Sequence, residues 1–155
     1  MKSQFDVLII GAGVVGCAAA RELSRYRLRI GVLEKTPDVC CGTSARNSGV
    51  LHAGFNNKPG SKMARFCVAA NAGFDRLAKE LDIPYKRTGK LVVGFKPEDR
   101  ARLEKMKAQG EQNGVPGLSI IEKDEIRRIA PEVRGEVAVG VPYSQLCQYR
   151  GRMML

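Results

Sequence analysis

Gly11, Gly13 and Gly16 stand at G-x-G-x-x-G spacing, and Glu34 follows 18 residues after the last of them. Those residue types at those intervals suit one chemistry, the holding of a dinucleotide. Gly11 permits a tight turn, Gly13 lets bare backbone approach a pyrophosphate, and Gly16 lets a following helix pack closely on the preceding strand. Ala12, Val14 and Val15 complete the stretch and contribute backbone N–H groups at the positive end of a helix dipole. An acid at the distance of Glu34, followed by Lys35, can accept hydrogen bonds from adenosine ribose hydroxyls and disfavours a 2′-phosphate. With no ligand, the same residues would be a glycine-rich turn and a strand-end charge.

These residues need a strand, a turn, a helix and a second strand to hold them. The apolar run from Val7 to Ile10 reads as the first strand, Cys17 to Leu23 as the helix, and Ile30 to Leu33 as the second strand ending at Glu34. From Lys35 to Phe55 the chain is rich in Gly, Ser and Thr, which predicts a cofactor-lining loop. Apolar residues then recur at spacings of three and four from Met63 through Phe66, Cys67, Ala70, Phe74 and Leu77 to Leu81. That spacing predicts a helix capped by Ser61, ended by Asp82-Ile83-Pro84, and packed by its apolar face on the nucleotide-binding sheet. Thr88 to Phe95 reads as a strand, Pro97 to Asn113 as a charged surface helix and Leu118 to Ile121 as a short strand. Lys123 to Ile129 reads as a short helix and Val137 to Val141 as another strand.

A chain of 155 residues with 44% hydrophobic content suits a globular domain of ordinary size. The net charge of +10, from 26 Lys and Arg against 16 Asp and Glu, favours anionic partners. Its basic residues are spread out, without zinc-finger spacing or a basic-aromatic signature, so the expected partner is a small anion and not nucleic acid. Five cysteines without a C-x-x-C pair predict reduced thiols and no metal site. Adjacent Cys40 and Cys41 are either a redox pair or, given the strained ring they would close, two small loop residues. No apolar run is long enough to span a bilayer and no signal-peptide pattern opens the chain, so a cytoplasmic location is expected, with peripheral membrane contact left open.

The glycine motif with Glu34, then Gly42-Thr43-Ser44 and the run from Arg46 to Gly54, resembles the FAD-dependent oxidoreductases of the D-amino-acid oxidase superfamily. Within it, the chain is similar to the branch of L-2-hydroxyglutarate oxidases and dehydrogenases and FAD-dependent glycerol-3-phosphate dehydrogenases, over about residues 4 to 142. The resemblance implies FAD, with Gly11 to Gly16 at its pyrophosphate, Glu34 at its ribose, and Thr43 and Ser44 at its diphosphate region. Asn47, Ser48, Gly49, Val50 and Leu51 match the segment beside the isoalloxazine. His52, the only histidine in the chain, matches a position near the flavin, where it would be a general base or a residue that merely packs. Arg46 is divided between contact with an anion and a solvated loop charge.

The fold implied is α/β: a truncated Rossmann-like FAD-binding domain with the start of an α+β substrate domain. Residues 1–85 would be the N-terminal part of the first, 86–140 the start of the second, and 141–155 a divergent or truncated return to the first, because Tyr143 to Leu155 matches nothing expected there. The chain thus reads as an N-terminal fragment, inactive by itself. The whole enzyme would oxidise a CH–OH group of an anionic 2-hydroxy acid such as L-2-hydroxyglutarate, or of glycerol 3-phosphate, with the electron acceptor left open. Two alternatives stand beside it: a nicotinamide-dependent Rossmann dehydrogenase, which the Thr43 to Gly54 loop disfavours, and a non-catalytic dinucleotide-binding remnant.

Overall fold

In a computed structural model, the structure describes residues 4–133, 139–143 and 147–149. It comprises β1 (Val7–Ile10), α1 (Val14–Leu23), β2 (Ile30–Leu33), a 3-10 turn (Thr43–Ala45), β3 (Val50–Leu51), α2 (Lys62–Glu80), β4 (Tyr85–Arg87) and β5 (Lys90–Gly94). Then follow α3 (Asp99–Gln112), β6 (Ile121–Glu122), α4 (Lys123–Ile129), β7 (Val139–Tyr143) and β8 (Cys147–Tyr149). By compactness the described residues divide into one unit up to Ser48 and a second from Gly49 onward.

The first unit is the expected strand–turn–helix–strand. β1 and β2 pair in parallel, Val7 opposite Ile30 through Ile10 opposite Leu33, and α1 packs on both strands. Strand alternation decides which side chains α1 covers. Ile9 turns toward the helix, its Cγ2 3.4 Å from where a Cβ on Gly16 would lie, whereas Leu8 and Ile10 are 48% and 87% exposed. Parallel strands are ordinarily covered on both faces. Among the described residues of this unit only Ala12 is buried.

The second unit carries the core. β5, β7 and β6 form one antiparallel sheet in the order β5-β7-β6, with Lys90 opposite Tyr143 and Ile121 opposite Gly140. Leu103 of α3 is completely buried beside Val139 and Val141 of β7, with Phe55, Val115 and Leu118 closing the cluster. Ile126 of α4 seals Ile121, Leu91 and Val93. A second three-stranded sheet has the order β3-β8-β4, so the short stretch Cys147–Tyr149 is its central strand.

Ser61 caps α2 as the sequence predicts, accepting a hydrogen bond from the Ala64 N–H at 3.1 Å. The buried face of that helix is nevertheless Ala64, Asn71, Phe74 and Ala78, while Met63 and Phe66 remain 66% and 59% exposed. Its core partners lie within the second unit, where Phe74 meets Tyr85 edge-on at 5.2 Å and Ala78 meets Ile83. The expected strand at Leu118–Ile121 is shifted to Ile121–Glu122, because Leu118 is used in the core below the sheet. Of the expected strand Val137–Val141, residues 137 and 138 lie outside the described residues, as do 144–146 and 150–155 of the tail. Among the described residues no helix is long and apolar enough to cross a membrane.

Removing the Leu103 side chain empties the centre of this core. Leu103→Ala is expected to destabilise the second unit by about 2–5 kcal/mol, measured by chemical denaturation, whereas the exposed Met63→Ala should shift stability by less than about 0.5 kcal/mol.

Candidate functional site

The glycine-rich turn is built by three backbone constraints. Gly11 sits at φ +100°, a left-handed conformation that glycine adopts without strain, and its N–H donates to the Leu33 carbonyl at 2.7 Å. A Cβ on Gly16 would lie 1.9 Å from the Gly11 carbonyl oxygen, so α1 can approach β1 only with glycine there. Gly13 is the extended N-cap of α1 and has no side chain with which to cap it.

Two side chains from elsewhere satisfy this turn. Ser44 Oγ, 30 residues on, accepts the Val14 N–H at 3.0 Å, and a Cβ on Gly13 would lie 3.2 Å from that oxygen. Glu34 Oε2 accepts the Ala12 N–H at 2.8 Å. Its other oxygen accepts both the Thr36 N–H at 3.0 Å and the Thr36 hydroxyl at 2.8 Å. The Ala12 hydrogen bond first, and those of Thr36 next, hold the Glu34 carboxyl down at about 2. The Ala12 carbonyl in turn accepts the Cys40 N–H at 2.9 Å and the Cys17 thiol at 3.4 Å.

Ser44 is itself held in place. It lies in the 3-10 turn Thr43–Ala45, where Arg46 Nη1 donates to the carbonyls of Cys41 and Gly42 at 2.5 and 3.0 Å. Asn47 Nδ2 donates to the Ser44 carbonyl at 2.7 Å. Arg46 therefore braces the loop from within. Cys17, Cys40, Cys41 and Cys67 are free thiols, and burial raises Cys40 first, reinforced by neighbouring Cys17.

The structure thus brings Gly11, Ala12, Gly13, Val14, Gly16, Glu34 and Ser44 together within the first unit. Val15, Lys35, Thr43, Asn47 and Ser48 belong to the same unit and are exposed. Gly49, Val50, Leu51 and His52 belong to the second unit, where Val50 and Leu51 form β3 and His52 is exposed. Thr36 escaped sequence reading. Its signal was a hydroxyl two residues after an acid, a pattern that favours a local side-chain hydrogen bond.

A diphosphate fits this cradle. The Val15 and Gly16 N–H groups in the first turn of α1 have no intrahelical acceptor, no acidic residue lies within that turn itself, and the space beside Gly13 would be narrowed by any Cβ. By contrast, the cavity of about 400 Å³ in the second unit, lined by Asn71, Asp75 and Arg87 among others, has its charges internally matched. Arg87 Nη2 lies 2.7 Å from Asp75 Oδ1, and the Tyr85 hydroxyl donates to the same oxygen at 2.6 Å.

A family model described as FAD dependent oxidoreductase matches residues 6–150. The chain is 43% identical over 133 residues to a glycerol 3-phosphate dehydrogenase of Caloramator mitchellensis, covering 86% of this chain and 28% of that protein. It is 40% identical over 150 residues to the mitochondrial L-2-hydroxyglutarate dehydrogenase of Homo sapiens, covering 96% and 32%. Among solved structures, the dithionite-reduced L-alpha-glycerophosphate oxidase of Mycoplasma pneumoniae with FAD bound superposes with a TM-score of 0.87 at 30% identity, covering 96% of this chain and 39% of that one. The chain therefore spans about a third of the length of these relatives. The family match also runs to residue 150, through part of the tail expected to diverge from Tyr143 onward.

Because Glu34 is held near 2 against an ordinary 4.5, its hydrogen bonds contribute fully above about pH 4.5 and are lost as pH falls through 2. An NMR titration of the Ala12 amide should show a midpoint near 2, absent in Glu34→Gln; a midpoint at 4.5 would contradict the bond.

Proposed function

This chain belongs to the DAO family of FAD dependent oxidoreductases, and we propose that it supplies the dinucleotide-holding part of an enzyme that oxidises an anionic 2-hydroxy acid or glycerol 3-phosphate. The observation that carries the reading is the pairing of turn and side chain: Ala12 with Glu34 and Val14 with Ser44. They brace the glycine-rich turn, leaving the first turn of α1 to meet the diphosphate and the Glu34 carboxylate at the edge where the ribose is expected. Bound FAD supplies the two-electron acceptor that no side chain provides. The chain's own residues bind and orient it. Gly11, Gly13 and Gly16 keep backbone close to the diphosphate, Ser44 and Glu34 hold the turn through the Val14 and Ala12 N–H groups, Asn47 holds Ser44, and Arg46 braces the preceding Cys41 and Gly42.

In the same proposal, residues 1–85 carry the N-terminal part of the FAD-binding domain, 86–140 open the substrate domain, and the remainder begins the return. Asn47 to Leu51 line the flavin, and His52 stands beside it. The substrate class is supported by the names of the relatives, a glycerol 3-phosphate dehydrogenase and an L-2-hydroxyglutarate dehydrogenase, and by the +10 charge, which draws small anions. The same chemistry needs no nucleic acid. A cytoplasmic location is supported by the free thiols.

The test is equilibrium dialysis of the chain against FAD and against NAD⁺. FAD is expected to bind in preference to NAD⁺, and Glu34→Ala to weaken FAD by about ten- to a hundredfold, the loss of hydrogen bonds to a charged group. Preference for NAD⁺, or unchanged affinity in Glu34→Ala, would overturn the reading.

A further inference from the structure

The chain around His52 has an unusual exposure pattern: His52 is exposed, while Ala53, Gly54 and Phe55 directly after it are buried. The backbone is tied down on both sides of the imidazole. Before it, Asn71 of α2, itself only 3% exposed, donates from Nδ2 to the Leu51 carbonyl at 3.4 Å. After it, the C-terminal end of α3 delivers two side-chain amides. Asn113 Nδ2 donates to the carbonyls of Gly54 and Asn57 at 2.9 and 2.8 Å, and Gln109 Nε2 to those of Phe55 and Asn57 at 3.3 and 3.1 Å.

Gln109 and Asn113 are four residues apart on α3 and its cap, so both amides reach from one face of the helix. Each spends both of its N–H donors on this loop. From the other side, Gly54 at φ +90° lets α2 close in, since a Cβ there would lie 3.0 Å from Val68 Cγ2 and 3.3 Å from the Ala64 carbonyl. The Asn113 Oδ1 is buried without a partner. A buried unpaired acceptor is destabilising, so the amide acts through its two donors and not through its oxygen.

We propose that Gln109 and Asn113 are positioning residues for His52, acting through the carbonyls of Gly54, Phe55 and Asn57 to hold an exposed imidazole on a fixed backbone. The functional value of this rests on the reading that His52 stands beside the flavin. As the only histidine, His52 gives a single imidazole signal by NMR, which needs no cofactor. Gln109→Met and Asn113→Leu keep volume and remove the donors. In the full chain, each is expected to speed amide exchange of residues 53–57 by about tenfold and to move the imidazole resonance toward that of a freely mobile histidine.

If the imidazole resonance is unmoved in both variants, whether or not exchange stays slow, the two residues only brace the loop and the proposal is overturned. Protection of the β5 and β7 amides reports folding. Should Asn113→Leu fail there, Gln109→Met, which leaves both Asn113 bonds in place, decides the matter by the same readout. The flavin reading fails separately: a visible spectrum of the FAD-loaded chain unchanged by His52→Ala overturns that reading, while an imidazole resonance moved by Gln109→Met still upholds the positioning role.

Discussion

Helix α1 can lie on β1 only because position 16 has no side chain, since any Cβ there would stand 1.9 Å from the Gly11 carbonyl oxygen. This single close approach fixes the rest of the site. With the helix so near the strand, the turn between them is short, Gly11 must take a positive φ, and the N–H groups of Ala12 and Val14 point out of the turn. Glu34 at the end of β2 and Ser44 in the next loop meet those two groups because β2 is parallel to β1 and ends beside it. Electrostatics follows geometry: the Glu34 carboxyl, fed by the Ala12 and Thr36 donors, stays ionised far into acid.

The second unit answers a different requirement. Two of its three apolar clusters are built on Leu103, Ile126, Val139 and Val141, and the third, Phe74, Ala78 and Ile83, takes Leu51 of β3 against it. Ala53 and Phe55 are members of the largest cluster, so the chain just after His52 is part of the core and not a mobile loop. The stretch expected to serve as a cofactor-lining loop is in this way partly a 3-10 turn and partly a strand. A backbone anchored in a core is a better support for a functional side chain than a free loop.

What the sequence revealed was local. β1, α1, β2 and Glu34 form one continuous pattern whose glycines leave few alternatives, and α4 falls on Lys123–Ile129 as its spacing predicts. The sheet β3-β8-β4 was hidden because its strands are two or three residues long and one of its pairs, Leu51 with Cys147, is joined across 95 intervening positions. No periodicity can mark so short a strand. Met63 and Phe66 fit the apolar stripe of α2 but stay exposed, the buried face running through Ala64 instead, while polar Asn71 is buried with Leu51 and Arg87 as partners. In the site, the partners of Glu34 and Ser44 were invisible for a related reason: they are backbone N–H groups, which carry no sequence signature of their own.

We propose that the first turn of α1, braced through Ala12 and Val14 by Glu34 and Ser44, is the cofactor cradle. The most direct measurement is a two-dimensional amide NMR spectrum of the chain with and without FAD. The resonances of residues 11–16 and of Ser44 are expected to move most, and Gly16→Ala to abolish the change. Perturbations confined to other residues, or a Gly16→Ala chain that responds to FAD as before, would contradict it.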